Sequence, residues 1–377
     1  MRMFWMAALL LSLGACATRE DVPVACGKAF AFIGSDGPQL RKLDFDGCSG
    51  QLSASLPVAD VPKSRWLVAH PTLARVYVAE DGSGKDGSVA AFALDRRTGA
   101  LSPINTANAG GGGTTFLALD KPSSTLLAAN FTSGSAASLT IKPDGSLGAT
   151  PASTIKATGS GPHRRQAGPH AHGISIDPSG RYALVADMGA DRVFVYGFDR
   201  ATHALSASGD TAFATPPGSG PRRAVFGASG RFVYVLNELS AEVMVLRWDA
   251  PTLSPVQTLA ISSEGFKGAR SAAEIAVSRD GRFVYIADRG EATLLVYAVN
   301  QGTGELSLLQ RLPAGGDGPW AFDISPEGRW LLLANFRSNR VNLFAIDPAS
   351  GRLGDTGQSV ETPGPVSVTF VTMKQEQ

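Results

Sequence analysis

Charge is sparse and balanced in this chain: 18% of the residues are charged and the formal net charge is +1. No basic stripe of the kind that nucleic-acid binding needs can be drawn along it, which excludes nucleic acid as a partner. Heptads, lysine or arginine runs and low-complexity arms are missing too. Past its first residues, the chain has no apolar stretch of the ~20 residues that a membrane-spanning helix takes. The run Gly110 to Gly113 is not followed by Gly-Lys-Ser/Thr, so it is no phosphate loop. No Gly-x-Ser-x-Gly elbow accompanies a Ser-His-Asp set. The histidines of Pro-His-x-His, His170 and His172, have no Cys, Glu or third His at ligand spacing, and no metal or cofactor is expected.

The N-terminus, MRMFWMAALLLSLGACATRE, is the one strongly apolar segment. Arg2 precedes an apolar run of about ten residues and a small-residue exit, the layout of a secretory signal. Leu13-Gly14-Ala15-Cys16 resembles the bacterial lipobox, which places cleavage before Cys16 and lipid on its sulfur. A plain signal cleaved after Ala15 or Ala17 is the alternative. Residues 1–15 thus read as a lipoprotein signal peptide, 16–28 as anchor and linker, and 29–377 as one folded domain. Each buried CH2 is worth about 0.8 kcal/mol, so several acyl chains hold a protein firmly on a membrane. The expected location is the cell envelope, with contact to the membrane through the N-terminal lipid only, facing the periplasm and on the outer membrane in preference to the inner. Cys26 and Cys48 then remain. In an oxidising compartment they suggest one disulfide, closing a loop of about 20 residues and worth roughly 3 kcal/mol; two buried free thiols are the alternative.

Glycine (43) and proline (23) are plentiful beside 44% hydrophobic residues, which reads as short strands joined by tight turns. One unit recurs. HPTLARVYVAED begins near His70, DKPSSTLLAANF near Asp120, DPSGRYALVADM near Asp177, GASGRFVYVLNE near Gly227, SRDGRFVYIADR near Ser278 and SPEGRWLLLANF near Ser325. The spacing of about 50 residues is that of four-stranded propeller blades. Alternation and β-branched residues favour strands throughout. The N-terminal KAFAFIGSDGPQLRKLDFDGCSGQL supplies the second to fourth strands of a unit, and the C-terminal GPVSVTFV a first strand. Joined, they make a seventh blade and leave no open sheet edge. The expected fold is all-β: one seven-bladed propeller of four-stranded antiparallel blades, monomeric, its ring closed by N- and C-terminal strands in one blade.

In such a ring the first strand of each blade lines the channel. The lead into that strand and the corner between the second and third strands emerge on one face. Residues of the first kind include His170, His172, Arg222, Arg223, Arg270 with Glu274 nearby, and Trp320; corner residues include Asn130, Asp187, Asn237-Glu238, Asp288-Arg289 and Asn335. Gly-Pro repeatedly precedes first strands and fixes the inward turn. Corner Asn and Asp residues also serve simply to cap strands. The group as a whole is a cluster of His, several Arg and a Glu. Guanidinium forks suit carboxylate or phosphate, and a Glu among them can act as general base or acid.

Four stretches, GPHAHGISIDPSGRYALVADMGADRV, GPRRAVFGASGRFVYVLNE, AEIAVSRDGRFVYIADR and ANFTSGSAASLTIKPDGSLG, resemble the bacterial seven-bladed propeller lactonase family. That family includes propeller-type 6-phosphogluconolactonases and the fungal carboxy-muconate lactonizing enzymes, and the resemblance runs from about Ala29 to the C-terminus. It implies a lactonase acting on a small anionic lactone. It also implies a catalytic set of His170 or His172, Arg222, Glu238 and Arg270, with Arg289 as the other candidate for the last place. Arg223, Asp187, Arg289, Trp320 and Asn130 are the expected substrate-binding residues. The chain departs from the family pattern where His usually follows Gly-Pro-Arg (here Arg223), and where the glycine-rich junction usually carries Pro-Cys-His (here Thr114-Thr115). Three functions fit these residues: lactone hydrolysis, muconate-type cycloisomerisation, and ligand holding by a non-enzymatic envelope propeller.

Overall fold

The computed structural model describes residues 26–82 and 86–373; the expected signal segment, the lipid-acceptor Cys16 and most of the linker lie outside the described residues. The described chain forms 29 strands, from β1 (Lys28–Ser35) to β29 (Pro365–Thr372), in seven antiparallel sheets. The first strand of each sheet packs against the first strands of its two neighbours. These inner strands are β5 (Ser64–Ala69), β9 (Thr114–Asp120), β13 (Ala171–Ile176), β17 (Pro221–Phe226), β21 (Ala272–Val277), β25 (Pro319–Ile324) and β29. Together they form a closed ring.

Closure comes from the two ends of the chain. β29 pairs antiparallel with β1, with Phe30 opposite Val371 and Phe32 opposite Thr369, and β1 pairs onward with β2 (Gln39–Asp46). The outer position of this blade differs from the other six. It is split into β3 (Gln51–Leu52) and β4 (Leu56–Asp60), both on β2. Between the two pieces, where Ser55 is unpaired in the ladder, Arg41 donates to its hydroxyl and carbonyl. Cys26 and Cys48 are joined by a disulfide that ties the start of the blade to the turn after β2.

Seven apolar clusters hold the ring, one at each blade interface. The second strand of a blade lies between two neighbours and has no solvent face. β18 (Phe232–Asn237), for instance, is buried at every position. That is why RFVYVLN reads as a continuous apolar run rather than an alternating one. At the closing interface Trp330 donates its indole N–H to the Gly47 carbonyl (2.8 Å) and meets Phe45 edge-on.

One irregularity repeats seven times. At the start of every inner strand the pairing register slips by one residue. The skipped residues are Arg65, Thr115, His172, Arg222, Ala273, Trp320 and Val366. A bulge of this kind frees a residue from the ladder and re-aims its side chain.

Candidate active site

Six of the seven bulged residues, all but Ala273, line a single cavity of about 250 Å3. A second set completes it. The residue directly after each second strand donates its backbone N–H to the carbonyl just before the inner strand of the same blade, as Glu238 does to Gly220 and Arg289 to Ser271. This contact holds the corner against the bulge. Asp81, Phe131, Glu238 and Arg289 occupy that corner position and also face the cavity. The Gly173 backbone lies so close to Arg222 that a Cβ there would sit 2.7 Å from the Arg222 carbonyl, which is why glycine follows His172.

Glu238 is the centre of the site and only 1% exposed. Its Oε2 accepts from Arg222 Nη1 at 2.7 Å; its Oε1 accepts from Arg165 Nη1 at 2.7 Å and from Arg289 Nη2 at 3.0 Å. Burial opposes its charge, but the guanidiniums of Arg222, Arg289 and Arg165 outweigh it and hold the carboxyl well below its usual range. Arg222 also donates through Nε to the carbonyl of Ala273, the one bulged residue that does not line the cavity, and through Nη1 to His172 Nε2. Burial and the neighbouring Arg222 and Arg223 push His172 far below its ordinary value, so its ring is neutral at physiological pH. Trp320 stands in the cavity wall, 4.4 Å from the Arg289 guanidinium and 5.9 Å from that of Arg222, within cation–π reach. Burial lowers Arg289 to about 10, with Glu238 opposing the shift. Arg289 remains a cation at neutral pH. Its Nη1 is buried and makes no hydrogen bond among the described residues.

The residues nominated from sequence fall into four groups. His172, Arg222, Arg223, Glu238, Arg289 and Trp320 all line the cavity. Arg223 makes a fork onto Glu274 (3.0 and 3.2 Å) and lies over the rings of Phe116 and Trp66, so it is a neutralised wall of the site. His170 sits behind the cavity, stacked on Phe131 with Nδ1 against the Phe131 carbonyl at 2.9 Å. Arg270 is exposed and belongs to an outer chamber, leaving Arg289 as the arginine of that region in contact with Glu238. Asn130 and Asp187 lie outside the cavity. They end second strands and cap them: Asp187 Oδ1 accepts from the N–H groups of His170, Gly189 and Ala190, and Asn130 donates to the Ala109 carbonyl.

Arg65, Trp66, Asp81, Phe131 and Val366 line the cavity and escaped the sequence reading, although the repeat carried a signal for them. Arg65 holds the place in its blade that Arg222 holds in its own, and Asp81 and Phe131 match Glu238. Arg65 bridges Asp36 (2.7 Å) and Asp81 (2.8 Å) on the far wall. Arg165 had no counterpart in the repeat. It lies on the loop between β12 (Ser153–Lys156) and β13.

A family model described as "Lactonase, 7-bladed beta-propeller" matches residues 27–370. The 6-phosphogluconolactonase of Bacillus subtilis is 32% identical over 340 residues, covering 90% of this chain and 95% of that protein. The 6-phosphogluconolactonase of Formosa agariphila is 28% identical over 355 residues, with 90% and 99% covered. Among solved structures, the Pseudomonas aeruginosa periplasmic gluconolactonase superposes with a TM-score of 0.87 at 32% identity, covering 92% of this chain and all of the other.

Proposed function

This chain belongs to the seven-bladed β-propeller lactonase family and is a lactone hydrolase of the 6-phosphogluconolactonase type, and we propose that it opens a sugar lactone in the cavity centred on Glu238. The observation that carries this reading is the carboxylate gripped by three guanidiniums inside a pocket too small for drug-sized ligands, which take roughly 300–1,000 Å3. Attack of water on a lactone carbonyl creates an oxyanion, and donors already in place stabilise it without reorganisation. Arg289 Nη1, buried and without a hydrogen-bond partner among the described residues, is one such donor. Glu238 accepts the proton of the attacking water. The ring C–O bond then breaks, and the same proton goes to the leaving alkoxide, giving the open hydroxy acid. Neutral His172 and Glu238 both accept from Arg222 Nη1, and together they fix that guanidinium.

The hydrolase is, on this reading, exported and held by lipid on Cys16, facing the periplasm. The disulfide Cys26–Cys48 supports an oxidising compartment, and the similar Pseudomonas aeruginosa protein is named for the periplasm. The test of the chemistry is proton release from a lactone panel that includes gluconolactone and 6-phosphogluconolactone, with the protein lacking its first 16 residues. Turnover lost in Glu238→Gln supports the assignment, and no turnover on any lactone overturns it. Labelling with radioactive palmitate, lost in Cys16→Ala, tests the anchor.

A further inference from the structure

Above the inner cavity lies an outer chamber of about 540 Å3. The two chambers share three residues, Arg165, Arg289 and Trp320. Among the described residues, no carboxylate lines the outer one, and Arg164 and Arg270 stand in its wall with no side-chain hydrogen bond or ion pair. Unpaired guanidiniums around a concave space are the chemistry of an anion site.

Arg165 differs from the other two partners of Glu238. Arg222 is carried by an inner strand and Arg289 by the corner after a second strand, with side chains 3% and 9% exposed; the Arg165 side chain is 41% exposed and comes from a loop. The backbone beside it is pinned. Gln166 donates to the Met188 carbonyl (2.7 Å) and to Asp191 (2.6 Å), and its own oxygen accepts the His163 N–H (3.0 Å). An exchange at this place therefore involves the Arg165 side chain, not the loop. Its link to Glu238 is the only hydrogen bond that side chain makes among the described residues.

We propose that the outer chamber is an anion site and that Arg165 is its switch: an anionic group bound between Arg164 and Arg270 draws Arg165 away from Glu238. In the unliganded site Glu238 is shared among three cations; with the anion bound it is shared between two, and it is then the stronger proton acceptor for the attacking water. A lactone bearing a remote anionic group thus assists its own hydrolysis, and a separate small anion bound beside a neutral lactone does the same. Arg165 is a positioning residue in this scheme. The catalytic consequence rests on Glu238 being the carboxylate of the proposed reaction, but the switch itself does not.

Binding of inorganic phosphate, followed by isothermal titration calorimetry, tests the switch without turnover. Glu238→Gln releases Arg165, so phosphate should bind more tightly than to wild type, by roughly 3- to 30-fold for a coupling of the usual size. In the Arg165→Ala background the same Glu238→Gln change should give no tightening. Tightening that persists without Arg165, or none in either background, overturns the proposal. Arg165→Ala and Arg270→Ala alter exposed side chains and keep the test alive should Glu238→Gln fail to fold. Each should weaken phosphate several-fold, and an unchanged affinity in either overturns the anion site. The two sources of the anion separate in the rate assay. If the group belongs to the substrate, kcat for 6-phosphogluconolactone exceeds that for gluconolactone in wild type but not in Arg165→Ala. If it is a free ion, added phosphate raises kcat for gluconolactone, again only with Arg165 present. Absence of both effects in an active enzyme overturns the link to catalysis and leaves lactone hydrolysis standing.

Discussion

Glu238→Gln keeps the shape of the side chain and removes its charge, which separates two roles that coincide at this residue. The carboxylate accepts three guanidinium hydrogen bonds of 2.7, 2.7 and 3.0 Å while almost fully buried. Glutamine retains one acceptor and turns an NH2 group toward at least one guanidinium. Arg222 and Arg289, both buried, then face each other without their counter-charge. Removing one member of a buried ion pair costs about 3–5 kcal/mol, and that is the stability loss expected in denaturant unfolding at pH 7. The pH dependence has a definite sign. The folded-state carboxyl lies far below its unfolded value of about 4.5, so its contribution is complete above that value and fades as the pH falls below it. The gap between wild type and variant should therefore narrow below about pH 4.5. Loss of the general base should lower kcat by about 10²- to 10⁴-fold in the proton-release assay. Glu274→Gln unpairs Arg223 without touching the partners of Glu238, and should cost comparable stability with a smaller loss of rate. Wild-type turnover in Glu238→Gln, measured on folded protein, would refute the catalytic role, and unchanged stability would refute the energetic argument.

Arg289→Ala should cut kcat by about 10²-fold, the cost of one oxyanion donor, whereas Arg270→Ala should act mainly on KM for anionic lactones; steady-state kinetics that reverse this order would place the working arginine wrongly. Burial pushes the carboxyl of Asp323, on an inner strand, up to about 6 from 3.8, although the N–H groups of Phe370 and Ile324 donate to it. A raised carboxyl binds its proton more tightly when folded, so stability falls as the pH rises from about 4 to about 6, by up to about 3 kcal/mol; the stability of wild type relative to Asp323→Asn should drop across that window, and parallel curves would rule the linkage out. Cys26–Cys48 closes a loop with a separation of 22 residues. Replacing both cysteines by alanine should lower unfolding stability by roughly 3 kcal/mol, and an unchanged denaturation midpoint would count against it.

The ring and its closure were legible because they follow from a period and from two complementary ends. Six copies of the turn, each followed by an apolar run, specify blades, and an N-terminal segment lacking a first strand needs the C-terminal one. The split outer strand of the closing blade was not legible, since the repeat does not mark where Ser55 goes unpaired and Arg41 meets it. The site was legible to within one residue, and the offset has a physical cause. Reading by strand ends takes in Glu238 and Arg289, but in five blades it also nominates the last residue of the second strand: Asn130, Asp187, Asn237, Asp288 and Asn335. Those side chains are buried and go to capping and packing. The cavity takes the next residue, Phe131, Glu238 and Arg289, because the corner there folds back onto the carbonyl before the inner strand. On the facing strand the bulge releases the second residue instead of the first, so His172 enters the cavity while His170 stacks behind it. A register slip leaves no mark in composition or periodicity of any single blade. It does leave one in the alignment of blades. Once Arg222 and Glu238 are placed, the same two positions in the blade of β5 give Arg65 and Asp81, and both line the cavity. Arg165 obeys no such rule, because it lies on a loop between blades and the repeat constrains only what lies within them. The one guanidinium partner of Glu238 outside the repeat is thus also the one whose side chain is exposed enough to be exchanged.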